Sequence, residues 1–147
     1  MRAGQSLTFT THDQQTLFYR HWPAQVETAG VPRRALILFH RGHEHSGRIG
    51  HIADEIDLPG FDVFAWDARG HGESPGERGD SPSVGTSVRD INTFVQHLCR
   101  THDIAIGNMA VIAQSVGAVL AAAWVHDYAP KIRALVLASP AFKVKLY

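Results

Sequence analysis

The stretch MAVIAQSVGAVLAAAWVHD, residues 109–127, decides how this chain folds. Met109 to Ala113 is a short apolar run without polar alternation, which suits a strand buried on both faces of a sheet. Gln114 and Ser115 interrupt it. Val116 to Asp127 then resumes as an alanine-rich apolar segment that reads as a buried helix. The sequence Ala113-Gln114-Ser115-Val116-Gly117 therefore places a hydroxyl on a sharp turn at the carboxyl end of a buried strand, the setting that a serine nucleophile requires. Small neighbours are needed there because strand and helix pass close together, and Gly117 supplies one. A serine that opens a helix also serves as a cap, and the pentapeptide alone does not separate the two roles.

Working outward, the same alternation recurs. Ala35 to Phe39 and Asp62 to Trp66 are unbroken apolar runs that read as further buried strands, and Ala134 to Ala138 is another. Ile49 to Leu58 and Pro82 to Arg100 carry apolar residues at helical spacing, the latter through Val84, Val88, Ile91, Val95 and Leu98. At the front, Ser6 to Thr10 and Thr16 to Trp22 flank His12-Asp13-Gln14 and read as a β-hairpin. Strands alternating with helices predict an α/β domain with a mostly parallel sheet and helices on both faces. Residues 1–147 suit one domain. Ala134 to Ala138 is expected at the sheet edge although its apolar character is that of an interior strand, so association through that edge is expected.

Composition narrows the partners. With 14 basic and 14 acidic residues the formal net charge is zero, which gives no general attraction to nucleic acid or anionic membrane. Val116 to Val125, the longest apolar run, is about half of the ~20 residues that a spanning helix needs. Met1 to Gln15 lacks the apolar core of a secretory leader. Cys99 is the single cysteine; no internal disulfide can form, and a cytoplasmic location is expected. It reads as a packing residue near the end of an amphipathic helix.

Two loops give the turn at Ser115 its meaning. His40-Arg41-Gly42-His43-Glu44-His45-Ser46-Gly47-Arg48 resembles the HGxxEHSGR loop of monoacylglycerol lipases, and Asp67-Ala68-Arg69-Gly70-His71-Gly72-Glu73-Ser74 resembles the D-x-RGHG-x-S loop of the same family. Together with the turn at Ser115 they stand in the family's order and spacing. The chain is thereby identified with the monoacylglycerol lipase and lysophospholipase branch of the α/β-hydrolases, of the serine aminopeptidase S33 type, as the amino-terminal part of such a domain ending before the cap and the last strands. The resemblance implies a serine hydrolase of carboxylic esters, with Ser115 as nucleophile and the backbone amides of Gly42 and Val116 as the oxyanion hole. It implies a supporting role for His40, Arg41 and Asp67, no cofactor, no metal, and an ester or lipid as substrate. Some bacterial relatives carry a further domain after this one, and a carboxyl-terminal fused domain is an open expectation. Two positions depart from the family: Arg41 and Ala113 stand where it has glycine. A stiffer or differently turned oxyanion loop and a slightly crowded elbow are the expected results.

The acid and histidine of a triad follow the serine in this fold. Only His126 and Asp127 do so here. Both lie on the helix that Ser115 opens, roughly 16 to 18 Å away at 1.5 Å per residue. His40, His43 and His71 remain as bases that neighbouring loops could supply. Without a base the chain is expected to be inactive on its own. The competing reading is a hydrolase-like module that binds an acyl ligand or a protein partner without turnover. A zinc site at His40, His43, His45 and His51 lacks cysteine ligands. A nucleotide-binding domain would need G-x-G-x-x-G where the chain has His40-Arg41-Gly42-His43.

Overall fold

The computed structural model describes residues 1–143. Six strands form one sheet in the order β1-β2-β4-β3-β5-β6, with β1 Gln5–Thr10, β2 Thr16–Trp22, β3 Arg34–Phe39, β4 Phe61–Trp66, β5 Met109–Gln114 and β6 Ala134–Ala138. The first two strands are an antiparallel hairpin in which Thr10 faces Thr16, and β2 is antiparallel to β4. All remaining pairings are parallel. The three helices are α1 Gly50–Glu55, α2 Val84–His102 and α3 Val116–Tyr128.

The unbroken apolar strands are explained by what covers each face. Ala35, Ile37 and Phe39 of β3 point with Phe64 and Trp66 of β4 toward Ile91, Phe94 and Leu98 of α2 and Trp124 of α3. The intervening Leu36, Leu38, Val63 and Ala65 point the other way and pack with Trp22, Ile49 and Ala53 of the α1 side. Side chains alternate along a strand, so a strand covered twice must be apolar at every position. Among the described residues β6 is an edge strand, as expected, and Val136 is 52% exposed there.

Two helices have bounds that differ from the sequence reading by more than one residue. The segment Ile49 to Leu58 is helical only over Gly50–Glu55, preceded by a 3₁₀ turn at Ser46–Arg48. Pro59 disfavours helical geometry at Leu58, and Ile56 has already left the helix at φ −75°, ψ 118°. The second helix begins at Val84 and not at Pro82, because the Ser83 hydroxyl accepts the Thr86 N–H at 3.0 Å and fixes the start. It runs on to His102 before Asp103 turns left-handed. The topology brings the carboxyl ends of β3, β4 and β5 to one edge, where the two motif loops and the turn at Ser115 meet.

Candidate active site

Ser115 links β5 to α3 with φ 55° and ψ −119°, a backbone conformation that residues with a side chain rarely adopt and that costs of order 1–3 kcal/mol. Its side chain makes no capping hydrogen bond to the helix, so the plain capping role does not hold. The strained turn is fixed by its backbone: the Ser115 N–H donates to Ala138 O at 3.0 Å, while Ser115 O accepts from Ala118 at 3.1 Å. Ala113 is fully buried in β5, registered between Phe39 and Leu137. Gly117 lies tight against the end of β3: a Cβ there would sit 2.5 Å from His40 O and 3.1 Å from Phe39 O. No side chain fits between α3 and the end of β3.

That contact sets the loop after β3 beside the start of α3. A Cβ built on Gly42 would lie 3.6 Å from Val116 Cγ1, so the two residues named for an oxyanion hole are neighbours. Neither of their N–H groups is spent on a hydrogen bond among the described residues. Left-handed backbone in this loop falls on His43, at φ 55°, and not on Arg41 or Gly42. The arginine at position 41 therefore occupies ordinary backbone geometry. Arg41, Gly42 and Val116 line a cavity of about 430 Å³ together with apolar Phe39, Trp66, Ile91 and Leu120 and with Ser81, Ser83 and Ser87.

The second motif loop braces the first. Buried Asp67 accepts the Ser46 N–H at 2.7 Å with one carboxylate oxygen and the Glu73 N–H at 2.9 Å with the other. Gly72 passes so close that a Cβ would meet Asp67 Oδ2 at 2.2 Å. Ser74 Oγ donates to Asp67 O and accepts from Phe18 N at 2.9 Å. His40 is 5% exposed; its Nε2 accepts the Ala68 N–H at 3.0 Å, which leaves Nδ1 to donate to Arg41 O at 2.7 Å. Burial lowers the His40 pKa from its usual value, and both nitrogens are occupied. A neutral, fully bonded imidazole holds the loop and is not free to act as a base. Among the described residues no histidine or carboxylate makes a hydrogen bond to the Ser115 hydroxyl. His43 and His71 line the cavity, while His126 and Asp127 pair with each other, exposed on α3.

Two contributions were not foreseen from the sequence. Arg69 reaches Asp13 in the hairpin turn at 2.7 and 2.9 Å and Asp90 of α2 at 2.9 and 3.0 Å. One cation thus ties the hairpin, the second loop and α2 together; it also sits against the His12, Asp13 and Asp90 cluster, whose ligand atoms lie within 4.8 Å of one another. The pKa of Asp13 is held well below its usual range by the Arg69 hydrogen bonds. The Glu44 carboxylate lies between two guanidiniums, 3.6 Å from Arg41 Nε and 3.3 Å from Arg48 Nε. Nothing local in the sequence announces the Arg69 pairs, since Asp13 and Asp90 are far from Arg69 along the chain, whereas Arg41 and Arg48 stand three and four residues from Glu44. Cys99 packs against the core with its thiol pKa raised by burial, and no helix among the described residues is long and apolar enough to cross a membrane.

An elbow serine above parallel strands, with a loop amide beside the next residue, defines the α/β-hydrolase class, and comparison with known proteins agrees. Solved α/β-hydrolase structures share the fold: the hydrolase GrgF of a Penicillium species superposes with a TM-score of 0.78 at 19% identity over 94% of this chain and 46% of that one. DcsB, solved with its substrate analogue, superposes with a TM-score of 0.80 at 18% identity over 98% and 47%. The family model described as serine aminopeptidase, S33, matches residues 30–147, and the chain belongs to that family. Among curated relatives, the uncharacterised protein YnbC of Escherichia coli is 58% identical over 95% of this chain but 23% of its own length. A monoacylglycerol lipase of Mycolicibacterium smegmatis is 33% identical over 75% of this chain and 39% of its own length. The chain thus spans less than half the length of these relatives.

Proposed function

We propose that the chain carries the nucleophile side of a serine hydrolase site for carboxylic esters, of the monoacylglycerol or lysophospholipid kind. The observation that carries this reading is the strained backbone of Ser115 at the head of α3, with a side chain that caps nothing. Strain of this sort persists where a function holds it in place. In the proposed reaction Ser115 Oγ attacks the ester carbonyl. The Gly42 and Val116 amides receive the charge that develops on the carbonyl oxygen. The alcohol leaves with a proton, and water then cleaves the acyl-serine to release the acid. Asp67 and His40 hold the amide-bearing loop in place, and the apolar wall of Phe39, Trp66 and Ile91 takes a hydrocarbon chain.

A base and its orienting acid are not among the groups bonded to Ser115, so turnover is proposed for a full-length protein that carries this chain, and the 147-residue chain alone is inactive. A fused domain in that protein is consistent with the greater length of its relatives. A cytoplasmic location rests on the lone cysteine. The second reading, a non-catalytic module that binds an acyl ligand or partner, is favoured by the unpartnered serine. Monoacylglycerol hydrolysis by the full-length protein, compared with its Ser115→Ala variant, separates the two. Turnover lost by more than about a thousandfold in the variant supports the hydrolase; no turnover in either supports the module.

A further inference from the structure

We infer that Arg41 selects esters that carry an anionic group, a phosphate or a carboxylate, a few bonds from the scissile carbonyl. The inference rests on the hydrolase reading of Ser115 and adds the charge of the substrate. Arg41 immediately precedes Gly42, and it lines the cavity with Gly42 and Val116. Its Nε lies 3.6 Å from Glu44 Oε2, three residues along the loop that carries the Gly42 amide.

The charge there is not neutralised. Arg41 and Arg48 share the single carboxylate of Glu44, at 3.6 and 3.3 Å, so two cations face one anion and one positive charge is left over. The Arg41 side chain makes no hydrogen bond among the described residues and is 55% exposed, which leaves its forked donors unspent. A guanidinium binds phosphate and carboxylate with two parallel hydrogen bonds. Arg69, also in the cavity wall, is by contrast fully engaged with Asp13 and Asp90. Asp80 is the one carboxylate in the same wall. It lies on the segment before α2. The backbone of Arg41 is held by the hydrogen bond that its carbonyl accepts from His40, so the charge is presented from a fixed point.

The test is calorimetric titration of the chain with three twelve-carbon amphiphiles below their micelle concentrations: dodecyl phosphate, monododecyl succinate and monolauroylglycerol. We expect the two anionic ligands to bind about five- to tenfold more tightly than the neutral one at low salt, a preference that shrinks as salt is raised. Arg41→Gln should reduce the preference to within twofold, read as the ratio of anionic to neutral affinities so that any general change in binding cancels, and Arg41→Lys should retain part of it. Phosphate favoured over carboxylate, or the reverse, identifies the source of the anion. Equal affinity for all three ligands, or a preference that survives Arg41→Gln, overturns the inference. The hydrolase reading is judged separately, by covalent labelling of Ser115, so either can fail alone.

Discussion

Replacing Gly117 by alanine tests whether α3 is seated where the site requires. In an open helix position this change stabilises a protein by about 0.8–1 kcal/mol, because alanine loses less backbone entropy and favours helix. At Gly117 the new methyl carbon would lie 2.5 Å from His40 O and 3.1 Å from Phe39 O, both backbone atoms that no rotamer change can move. Forcing a methyl group into such a contact costs typically 1–3 kcal/mol, and the rigid carbonyl places this case at the upper end. The net effect is a destabilisation of about 2 kcal/mol, or roughly 4–8 °C in Tm for a domain of this size. The control is Gly85→Ala in the first turn of α2, where the nearest outside atom to a Cβ is the Ser83 hydroxyl at 3.8 Å. Thermal unfolding followed by circular dichroism should show Gly85→Ala equal to or above the parent and Gly117→Ala below it. If both variants gain stability alike, the close seating of α3 on β3 is wrong, and with it the juxtaposition of Gly42 and Val116.

Three further outcomes follow from the same geometry. Asp67→Ala strands the buried Ser46 N–H and frees the more exposed Glu73 N–H; at roughly 1–3 kcal/mol for a buried group left unpaired, hydrogen exchange across residues 40–48 should accelerate at least tenfold. Acid should weaken the fold between pH 6.5 and about 4. Burial, then His21, His97 and Arg33, lowers the His102 pKa from 6.5 to about 4, and burial lowers that of His97. The unfolded chain binds these protons first, so stability is full above pH 6.5 and is lost as pH falls through that window. His102 is partly open to water and bonded to Tyr19 at 2.9 Å; after allowance for screening the loss is about 1–2 kcal/mol. Urea titrations at pH 7 and pH 4.5 should show it, and His102→Gln should shrink the difference. Finally, Val136→Lys on the exposed edge strand β6 should shift the chain toward monomer in size-exclusion chromatography; unchanged elution would show that this edge does not mediate association.

Much of the architecture was legible because it rests on local rules. Apolar runs such as Ala35 to Phe39 must be strands buried twice, and the helix periodicity survives from Val88 to Leu98, while Val84 at the head of α2 is exposed. The elbow was legible as a position, strand then serine then small residue, but its strained dihedral angles were not, since nothing in Ala113 to Gly117 distinguishes a capping serine from a displayed one. The ends of α1 and α2 were missed by a few residues because Pro59 and Ser83 act through geometry that periodicity ignores. The Arg69 clamp on Asp13 and Asp90 was hidden for another reason: it depends on residues that only the folded loops bring together, whereas Arg41 and Arg48 stand three and four residues from Glu44. His40 illustrates the same limit, since only its two hydrogen bonds distinguish a brace from a base.

The central claim is that Ser115 is a displayed nucleophile. The direct measurement is reaction of the full-length protein with an active-site fluorophosphonate, followed by peptide mapping. Covalent modification is expected at Ser115, abolished in Ser115→Ala and slowed at least tenfold when the same probe meets the 147-residue chain without a base. Modification of another residue, or none at Ser115 in protein shown to be folded, would contradict it.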